Sequence, residues 1–266
     1  ALVRAPTHDG QRAWSLEMSA QQMTDILVCS GVTHLVHAAW VMRASSGEQL
    51  HASCISGTSR LLSAAKAAGV RKVVFISTIS SFEEARSLYG RSKLAAERLV
   101  REEDGLVLRL GLVYGETQGG MFGSLARLVA QSPVIPVISG GPGRQYLLHE
   151  AALAAAVIRA VRGEFDGERR PVTLAHPDPV PLKEVLAALA AHGGRKVVFF
   201  SVSWRLVYFA LRLLEQLRLN PGFTSDSLVS FVFQNPAPDF QPATDHDIQM
   251  ISFNDAIEAA AARRQS

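Results

Sequence analysis

Apolar runs of two different periodicities alternate along the first 135 residues. Four short runs are rich in β-branched residues and are predicted as strands, namely Ala1–Arg4, His34–Trp40, Lys72–Thr78 and Gly105–Gly115. Apolar residues at helical spacing predict helices at Cys54–Val70, Ser87–Arg101 and Ser124–Gln131. Because nearly continuous apolar strands alternate with helices, the pattern predicts an α/β fold with a parallel, doubly wound sheet.

The pattern loosens after Pro133. Gly140–Gly163 is predicted as a loop, a short extended piece and an Ala-rich helix, and Pro171–Gly194 as a strand, a Pro-rich turn and a helix. The most apolar run, Val197–Leu214, is long enough to span a bilayer, but it contains two arginines. Each would cost about 2.5–3.5 kcal/mol at a bilayer centre. We therefore expect a buried or groove-lining helix there.

Composition narrows the class of protein. The chain has 266 residues, of which 48% are hydrophobic and 19% charged, which suits one large domain or a domain with a small appendage. Its formal net charge is +3, and the basic residues are scattered, so we expect no nucleic-acid partner. The two cysteines make neither a disulfide framework nor a metal spacing, which favours the reducing cytoplasm and a site without metal.

The stretch Ser77–Glu97 holds residues that could move a proton. Tyr89 and Lys93 are four residues apart in a predicted helix, so they lie on one face, and Thr78 ends the preceding strand. A tyrosine has a pKa near 10, and lowering it to about 7 needs roughly 4 kcal/mol of stabilisation of the phenolate. A neighbouring lysine ammonium in a partly dry site, together with a second positive charge nearby, could supply it. The same pair also fits a surface tyrosine beside a solvated lysine.

Five segments occur in an order that resembles one known group of proteins. They read HLVHAAW, SGTSRLLSAAKAAGVRKVVFIST, YGRSK, RLGLVYGE and GRQYLLHEAALAAAV. Together they resemble the extended short-chain dehydrogenase/reductase superfamily, which comprises NAD(P)-dependent epimerases, dehydratases and reductases. The resemblance implies a Rossmann-like NAD(P)-binding domain at residues 1–135, with 140–163 contributing. It also implies a smaller, partly interleaved substrate-binding lobe at 164–266.

The resemblance assigns expected roles to individual residues. Tyr89 is the expected catalytic acid/base, Lys93 its partner, which also holds the nicotinamide ribose, and Thr78 the active-site hydroxyl. The expected cofactor-binding residues are Arg4, Ala38, Ala39, Trp40, Ser77, Tyr89 and Lys93. Arg4 stands where an arginine often contacts an adenosine 2′-phosphate, which favours NADP, whereas a solvated Arg4 would leave NAD equally open.

The sequence also departs from the family pattern. Cys54 and Leu112 stand where the family usually or often has asparagine, and Leu112 weakens the case for a nucleotide-sugar substrate in favour of a small-carbonyl or isoprenoid/steroid-type one. The Gly-rich dinucleotide fingerprint is absent from the start of the chain. We expect a strand, glycine turn and helix of roughly 35 residues to precede Ala1. Alternatively, the first strand has moved into the central place in a degenerate binder.

The predicted function is therefore that of an NAD(P)-dependent oxidoreductase or epimerase/dehydratase. It would act at a hydroxyl or carbonyl carbon of a small molecule, and a nucleotide sugar is one candidate substrate. A homodimer is one candidate for the oligomeric state. A non-catalytic dinucleotide-binding or sensor protein of the same fold is the alternative. A third hypothesis is an enzyme that acts on a lipidic substrate and uses Val197–Leu214 to bind the membrane surface. The sequence does not favour membrane association.

Overall fold

A computed structural model describes residues 2–3, 12–40, 47–116, 120–140, 143–219 and 223–265. The strands, in chain order, are β1 (Leu2–Val3), β2 (Arg12–Ala13), β3 (His34–His37), β4 (Lys72–Thr78), β5 (Leu106–Leu110), β6 (Leu112–Tyr114), β7 (Val134–Ser139), β8 (Arg144–Gln145), β9 (Leu147–His149), β10 (Val172–Leu174), β11 (Val180–Pro181) and β12 (Val198–Ser203). The helices are α1 (Ala20–Cys29), α2 (Gly47–Ala67), α3 (Leu88–Glu102), α4 (Gly120–Gln131), α5 (Glu150–Val161), α6 (Leu182–His192), α7 (Trp204–Gln216), α8 (Ser225–Val232), α9 (Gln241–Asp245) and α10 (Phe253–Gln265).

A parallel sheet of four strands, in the order β10-β5-β4-β3, forms the centre of the fold. On one face Leu108 and Leu174 pack with Ala156 of α5. On the other, Phe75 packs with Leu62 of α2 and with residues of α3. Because helices cover both faces, the strands are apolar on both sides, which is the pattern that the sequence carries. The predicted doubly wound sheet is confirmed.

The first two strands form a separate parallel pair. The predicted strand at Ala1–Arg4 is found at Leu2–Val3, while Arg4 lies outside the described residues. β3 pairs with β4, and within the described part of the chain no strand pairs with its other edge. The expected strand–turn–helix unit before Ala1 stays a prediction.

The predicted strand Gly105–Gly115 is wrong as one element, because it divides at Gly111. β5 ends in the central sheet, and β6 pairs instead with β9. The amide of Gly111 donates to Leu174 O at 3.0 Å and that of Leu112 to Tyr146 O at 2.7 Å. A methyl group at Gly111 would lie 2.4 Å from Tyr146 O, so only glycine fits where the chain changes partner.

The predicted helix Val197–Leu214 is also wrong as one element. Residues 198–203 form β12, which pairs in parallel with β7, and α7 begins at Trp204. Valine and phenylalanine suit a strand, and β7 offers a partner edge that the sequence alone does not reveal. No helix in the described ranges combines the length and apolarity needed to cross a bilayer.

The smaller lobe is interleaved with the sheet domain. α4 and β7 pack against α6 through Val129, Ile135 and Leu186, with Phe231 of α8 closing the cluster. In the opposite direction, β10 leaves the C-terminal segment and joins the central sheet beside β5. This exchange of elements fits a partly interleaved lobe, while the boundaries at 1–135, 140–163 and 164–266 and the roles of the two parts stay predictions.

Candidate active site

The first turn of α3 is fixed by two side chains. The Ser87 hydroxyl accepts a hydrogen bond from the amide of Gly90 at 3.0 Å. The Asp226 carboxylate, from α8, accepts from the amides of Leu88 at 2.7 Å and Tyr89 at 2.9 Å. These amides have no partner within the helix, so an acidic side chain satisfies them and also interacts favourably with the helix dipole. The C-terminal lobe thereby holds the segment that carries Tyr89.

Gly90 lets this turn lie directly against the loop after β4. A methyl group at Gly90 would lie 2.3 Å from the carbonyl oxygen of Ser80, which is part of the backbone. The close approach brings Tyr89 to Thr78 at the carboxyl end of β4. The glycine after the tyrosine is therefore required by packing, although its helical backbone conformation would suit any residue.

Tyr89 lies between an aromatic side chain, Trp40, and a hydroxyl, that of Thr78. Its ring meets that of Trp40 edge to face, with 6.1 Å between centroids. Burial raises the pKa of Tyr89 to about 12, the hydrogen bond with Thr78 acts in the opposite direction, and Cys54 adds to the rise. The phenol is therefore protonated at neutral pH.

Lys93 is held away from bulk water. Its ammonium donates to Ile76 O at 2.7 Å and lies 4.0 Å from the centroid of the Trp40 ring and 4.5 Å from that of Phe75. Burial lowers the pKa of Lys93 to about 7, against the charges of Cys54 and Glu97. In the protein alone, desolvation raises the pKa of Tyr89. The expected lowering, which also relies on the positive charge of an oxidised nicotinamide, stays a prediction.

The two neighbouring hydroxyls of β4 have different partners. Whereas Thr78 bonds Tyr89, the Ser77 hydroxyl donates to Glu97 Oε1 at 2.5 Å. Glu97 is buried and also pairs with Arg109 of β5, whose Nη2 lies 2.6 Å from Oε2. The structure therefore places Ser77 in a buried ion-pair cluster that fastens α3 to the sheet.

The residues after β3 form the other wall of the site. Ala38 is exposed, and Ala39 and Trp40 are partly buried. The Trp40 ring contacts both the Tyr89 ring and the ammonium of Lys93. Its Nε1 is buried, and no residue of the described chain accepts a hydrogen bond from it. The sequence-predicted cluster of Trp40, Thr78, Tyr89 and Lys93 is thus brought together.

The sequence argument missed His37 and Asp226. His37 is buried at the end of β3, with Nε2 3.1 Å from Thr58 Oγ1. Burial, aided by the charge of Lys93, lowers the pKa of His37 to about 3. The polar residue inside an apolar strand was a readable signal for His37. Nothing local marks Asp226, because its partners are 137 and 138 residues away.

Known structures share this fold. The Bordetella bronchiseptica enzyme WbmG, solved with NAD and UDP, has a TM-score of 0.68 and 18% identity over 97% of this chain and 81% of that one. The dTDP-4-dehydrorhamnose reductase of Bacillus anthracis, solved with NADP, has a TM-score of 0.65 and 16% identity over 94% and 89%. The UDP-N-acetylglucosamine 4-epimerase of Bacillus cereus has a TM-score of 0.60 and 18% identity over 87% of each chain. These similarities establish the fold.

Sequence comparison gives the family. No curated protein sequence matches the chain. The model of the NAD dependent epimerase/dehydratase family matches residues 15–174, which run from the segment before α1 through β10 and contain Tyr89 and Lys93. The match covers more than half of the 266 residues. The chain belongs to the NAD-dependent epimerase/dehydratase family.

Proposed function

We propose that the protein is an NAD(P)-dependent oxidoreductase or epimerase/dehydratase that acts at a hydroxyl or carbonyl carbon, with Tyr89 as the acid/base. The observation that carries this proposal is the grouping of Tyr89, Thr78 and Lys93 at the carboxyl ends of β3 and β4. In open α/β sheets, ligands bind in the crevice outside the carboxyl ends of the strands. A non-catalytic binder could use Lys93 to hold a ribose, but it would need no phenol as an acid/base and no hydroxyl beside that phenol.

The residues present fit a nicotinamide cofactor. Trp40 follows the carboxyl end of β3, its buried Nε1 has no acceptor in the described chain, and its ring lies 4.0 Å from the Lys93 ammonium, so an unused donor and a cation lie close to where the sheet would receive a ligand. We propose that Lys93 holds the ribose and that Ala38, Ala39 and Trp40 line the cofactor. When bound, the cofactor supplies hydride transfer. NAD is the cofactor in the family's name, while the NADP preference expected from Arg4 concerns a residue outside the described ranges.

The side chains divide the proton chemistry. Tyr89 is protonated at neutral pH because burial raises its pKa to about 12, so it can donate a proton to a substrate carbonyl oxygen. Thr78, whose hydroxyl interacts with the phenol, helps to orient it. Lys93 is charged below about pH 7, and that charge favours the phenolate needed when Tyr89 removes a proton.

We propose a nucleotide sugar as the substrate class. One structural neighbour is a 4-epimerase of UDP-N-acetylglucosamine, and another was solved with UDP-glucuronic acid and NAD. The competing class is a small or isoprenoid-type carbonyl compound. Leu112, expected as asparagine in sugar-nucleotide enzymes, packs among apolar side chains of the smaller lobe, which favours that second class.

The two parts of the chain have different proposed binding roles. We propose that residues 1–135, with 140–163, bind the cofactor and that 164–266 complete the substrate pocket, apart from β10, which serves the sheet. We propose a cytoplasmic location from the sequence, whose two cysteines make no disulfide framework. A homodimer stays a prediction.

The decisive experiment compares Tyr89→Phe with the matched control Tyr146→Phe. The proteins would be titrated with NADH and NADPH by nicotinamide fluorescence and then assayed with UDP-glucose, UDP-N-acetylglucosamine and a panel of isoprenoid ketones. We expect Tyr89→Phe to lower turnover by about 10²–10⁴-fold with nearly unchanged cofactor affinity, and Tyr146→Phe to retain activity. Lys93→Met should lower both quantities.

Each failure has its own meaning. Unchanged turnover by Tyr89→Phe on an accepted substrate would remove the acid/base role. Cofactor binding without turnover of any compound would favour the non-catalytic alternative. Turnover of the ketones and not of the UDP-sugars would replace the substrate class while leaving the chemistry intact.

A further inference from the structure

The outward face of α7 carries a row of exposed apolar side chains. The row comprises Leu206 (66% exposed), Phe209 (68%), Leu213 (58%) and Leu217 (60%). Their spacing follows the helical repeat, so they form one stripe about 16 Å long. We call this stripe, together with the exposed Leu219 that follows it, the α7 surface. Single exposed leucines are ordinary, whereas a contiguous set of large apolar side chains marks an interaction site.

The α7 surface lies opposite the side by which the helix is anchored. Trp204, Val207 and Leu211 pack with Leu228 and Val232 of α8. The helix therefore does not need its outward leucines to hold its place in the fold. Because α8 also supplies the Asp226 carboxylate to the Tyr89 helix, the α7 surface is linked to the candidate active site by one intervening helix.

Basic residues are concentrated in the segment of the chain that carries this surface. Residues 195–219 contain five basic side chains and one acidic side chain, whereas the rest of the chain contains 22 basic and 23 acidic residues. The basic residues are all exposed: Arg195, Lys196, Arg205, Arg212 and Arg218. The acid, Glu215, accepts hydrogen bonds from the amide and hydroxyl of Ser225 and lies 3.7 Å from Arg212. An apolar stripe within a cationic field is complementary to an anionic lipid surface.

A second copy of the chain is a poorer occupant. In a symmetric dimer built on α7, each surface would face itself, so Arg205, Arg212 and Arg218 would approach the same residues of the copy. Glu215 is the acidic side chain of this segment, and it already bonds Ser225. Like charges placed across an interface oppose association.

We propose that the α7 surface docks the protein onto the surface of an anionic phospholipid bilayer. Leu206, Phe209, Leu213 and Leu217 enter the boundary between headgroups and acyl chains, and the flanking arginines bind the lipid phosphates and carboxylates. The helix lies in the plane of the interface and does not cross the bilayer. This docking is independent of the proposed chemistry and modifies the sequence-based expectation, which did not favour membrane association.

The test measures vesicle binding by the full chain. Sedimentation with phosphatidylcholine vesicles, with and without phosphatidylserine, would be compared for wild type, Phe209→Ser/Leu213→Ser and Arg205→Gln/Arg212→Gln. The matched controls are Val28→Ser/Ile158→Ser, at similarly exposed apolar positions, and Arg71→Gln/Arg162→Gln, at exposed arginines. Thermal unfolding establishes that each variant is folded, and light scattering gives the oligomeric state.

The expected result is binding to the anionic vesicles, weakened by rising salt. The apolar double variant should bind at least tenfold more weakly, the arginine variant several-fold more weakly for each charge removed, and both controls like wild type. Equal binding by wild type and the apolar variant, or no binding to anionic vesicles, would overturn the proposal. A dimer that dissociates in the apolar variant would instead identify the α7 surface as a contact between copies, which also overturns it.

Discussion

Replacing Gly90 by alanine sets two well-known effects against each other. In a helix interior, alanine is more favourable than glycine by about 1 kcal/mol, so propensity alone predicts a more stable protein. At Gly90 the added methyl group would lie 2.3 Å from Ser80 O, 3.0 Å from Ser87 Oγ and 3.1 Å from Ala85 Cβ. The nearest of these atoms belongs to the backbone, so it cannot rotate away. We expect the steric effect to win.

The size of the effect follows from the contact. Since an ordinary contact begins near 3.4 Å, the first turn of α3 and the loop after β4 must separate by about 1 Å. Overpacking of this kind costs about 1–3 kcal/mol, which leaves a net loss of up to about 2 kcal/mol after the propensity gain. The same movement takes Tyr89 from Thr78, and a 1 Å misplacement can lower turnover by about 10²-fold.

Three measurements on Gly90→Ala check this reasoning. Urea unfolding gives the free energy of unfolding, amide hydrogen exchange at Leu88 and Tyr89 reports the hydrogen bonds to Asp226, and turnover reports the phenol position. Gly193→Ala is the matched control, because its φ is −83° and its methyl group would lie 3.5 Å from Leu189 O, an ordinary contact. The control should be neutral or slightly stabilising. A Gly90→Ala protein more stable than wild type, with unchanged exchange, would refute the argument.

Three further predictions concern polar groups near the candidate site, namely Asp226, Glu97 and His37. Asp226→Ala should lower the free energy of unfolding, measured in urea, by about 1–2 kcal/mol and should accelerate hydrogen exchange at the Tyr89 amide. An unchanged exchange rate would contradict the capping role of Asp226. Glu97→Gln should lower the free energy of unfolding by about 3–5 kcal/mol, because it leaves the Arg109 charge unpaired. The double variant Glu97→Gln/Arg109→Met should recover much of this loss. If the effects of the two substitutions are instead additive, the two residues are not energetically coupled. The pKa of His37 is 6.5 in the unfolded chain and about 3 in the folded protein. As the pH falls below 6.5, the unfolded chain therefore binds a proton that the folded protein does not bind. The free energy of unfolding should decrease between pH 6.5 and 3, by about 2 kcal/mol at pH 5. His37→Gln should flatten that slope in pH-dependent unfolding, and an unchanged slope would assign it to other groups.

The sheet could be predicted because each of its strands carries the necessary information locally. In β4, Val74 faces α5 and Phe75 faces α3, so both faces must be apolar, and the run of apolar residues records this directly. The helix stop at Gly69 is equally local, since its φ of +72° suits glycine. These features do not depend on where the rest of the chain goes.

Two apolar runs, Gly105–Gly115 and Val197–Leu214, are each divided into two elements, and this division could not be predicted because it depends on distant parts of the chain. β6 leaves the direction of β5 because Tyr146 offers a carbonyl to Leu112, and β12 is a strand because β7 lies beside it. In both cases the deciding partner is distant in sequence, while the local residues suit either interpretation. An apolar run without a clear period specifies burial and leaves the element type to its neighbours.

In the candidate site, the positions of the residues could be predicted from the sequence, but their pKa values could not. The spacing of Tyr89 and Lys93 fixes that both lie on one face of α3, so their proximity follows from the helix alone. The pKa of each depends on what else is near. Trp40 and Ile76 surround the ammonium, and the loss of water raises the pKa of Tyr89 to about 12 and lowers that of Lys93 to about 7. Desolvation favours the neutral form of both groups, so the pair is set to donate a proton, and removing one from a hydroxyl substrate requires additional positive charge beside the phenol.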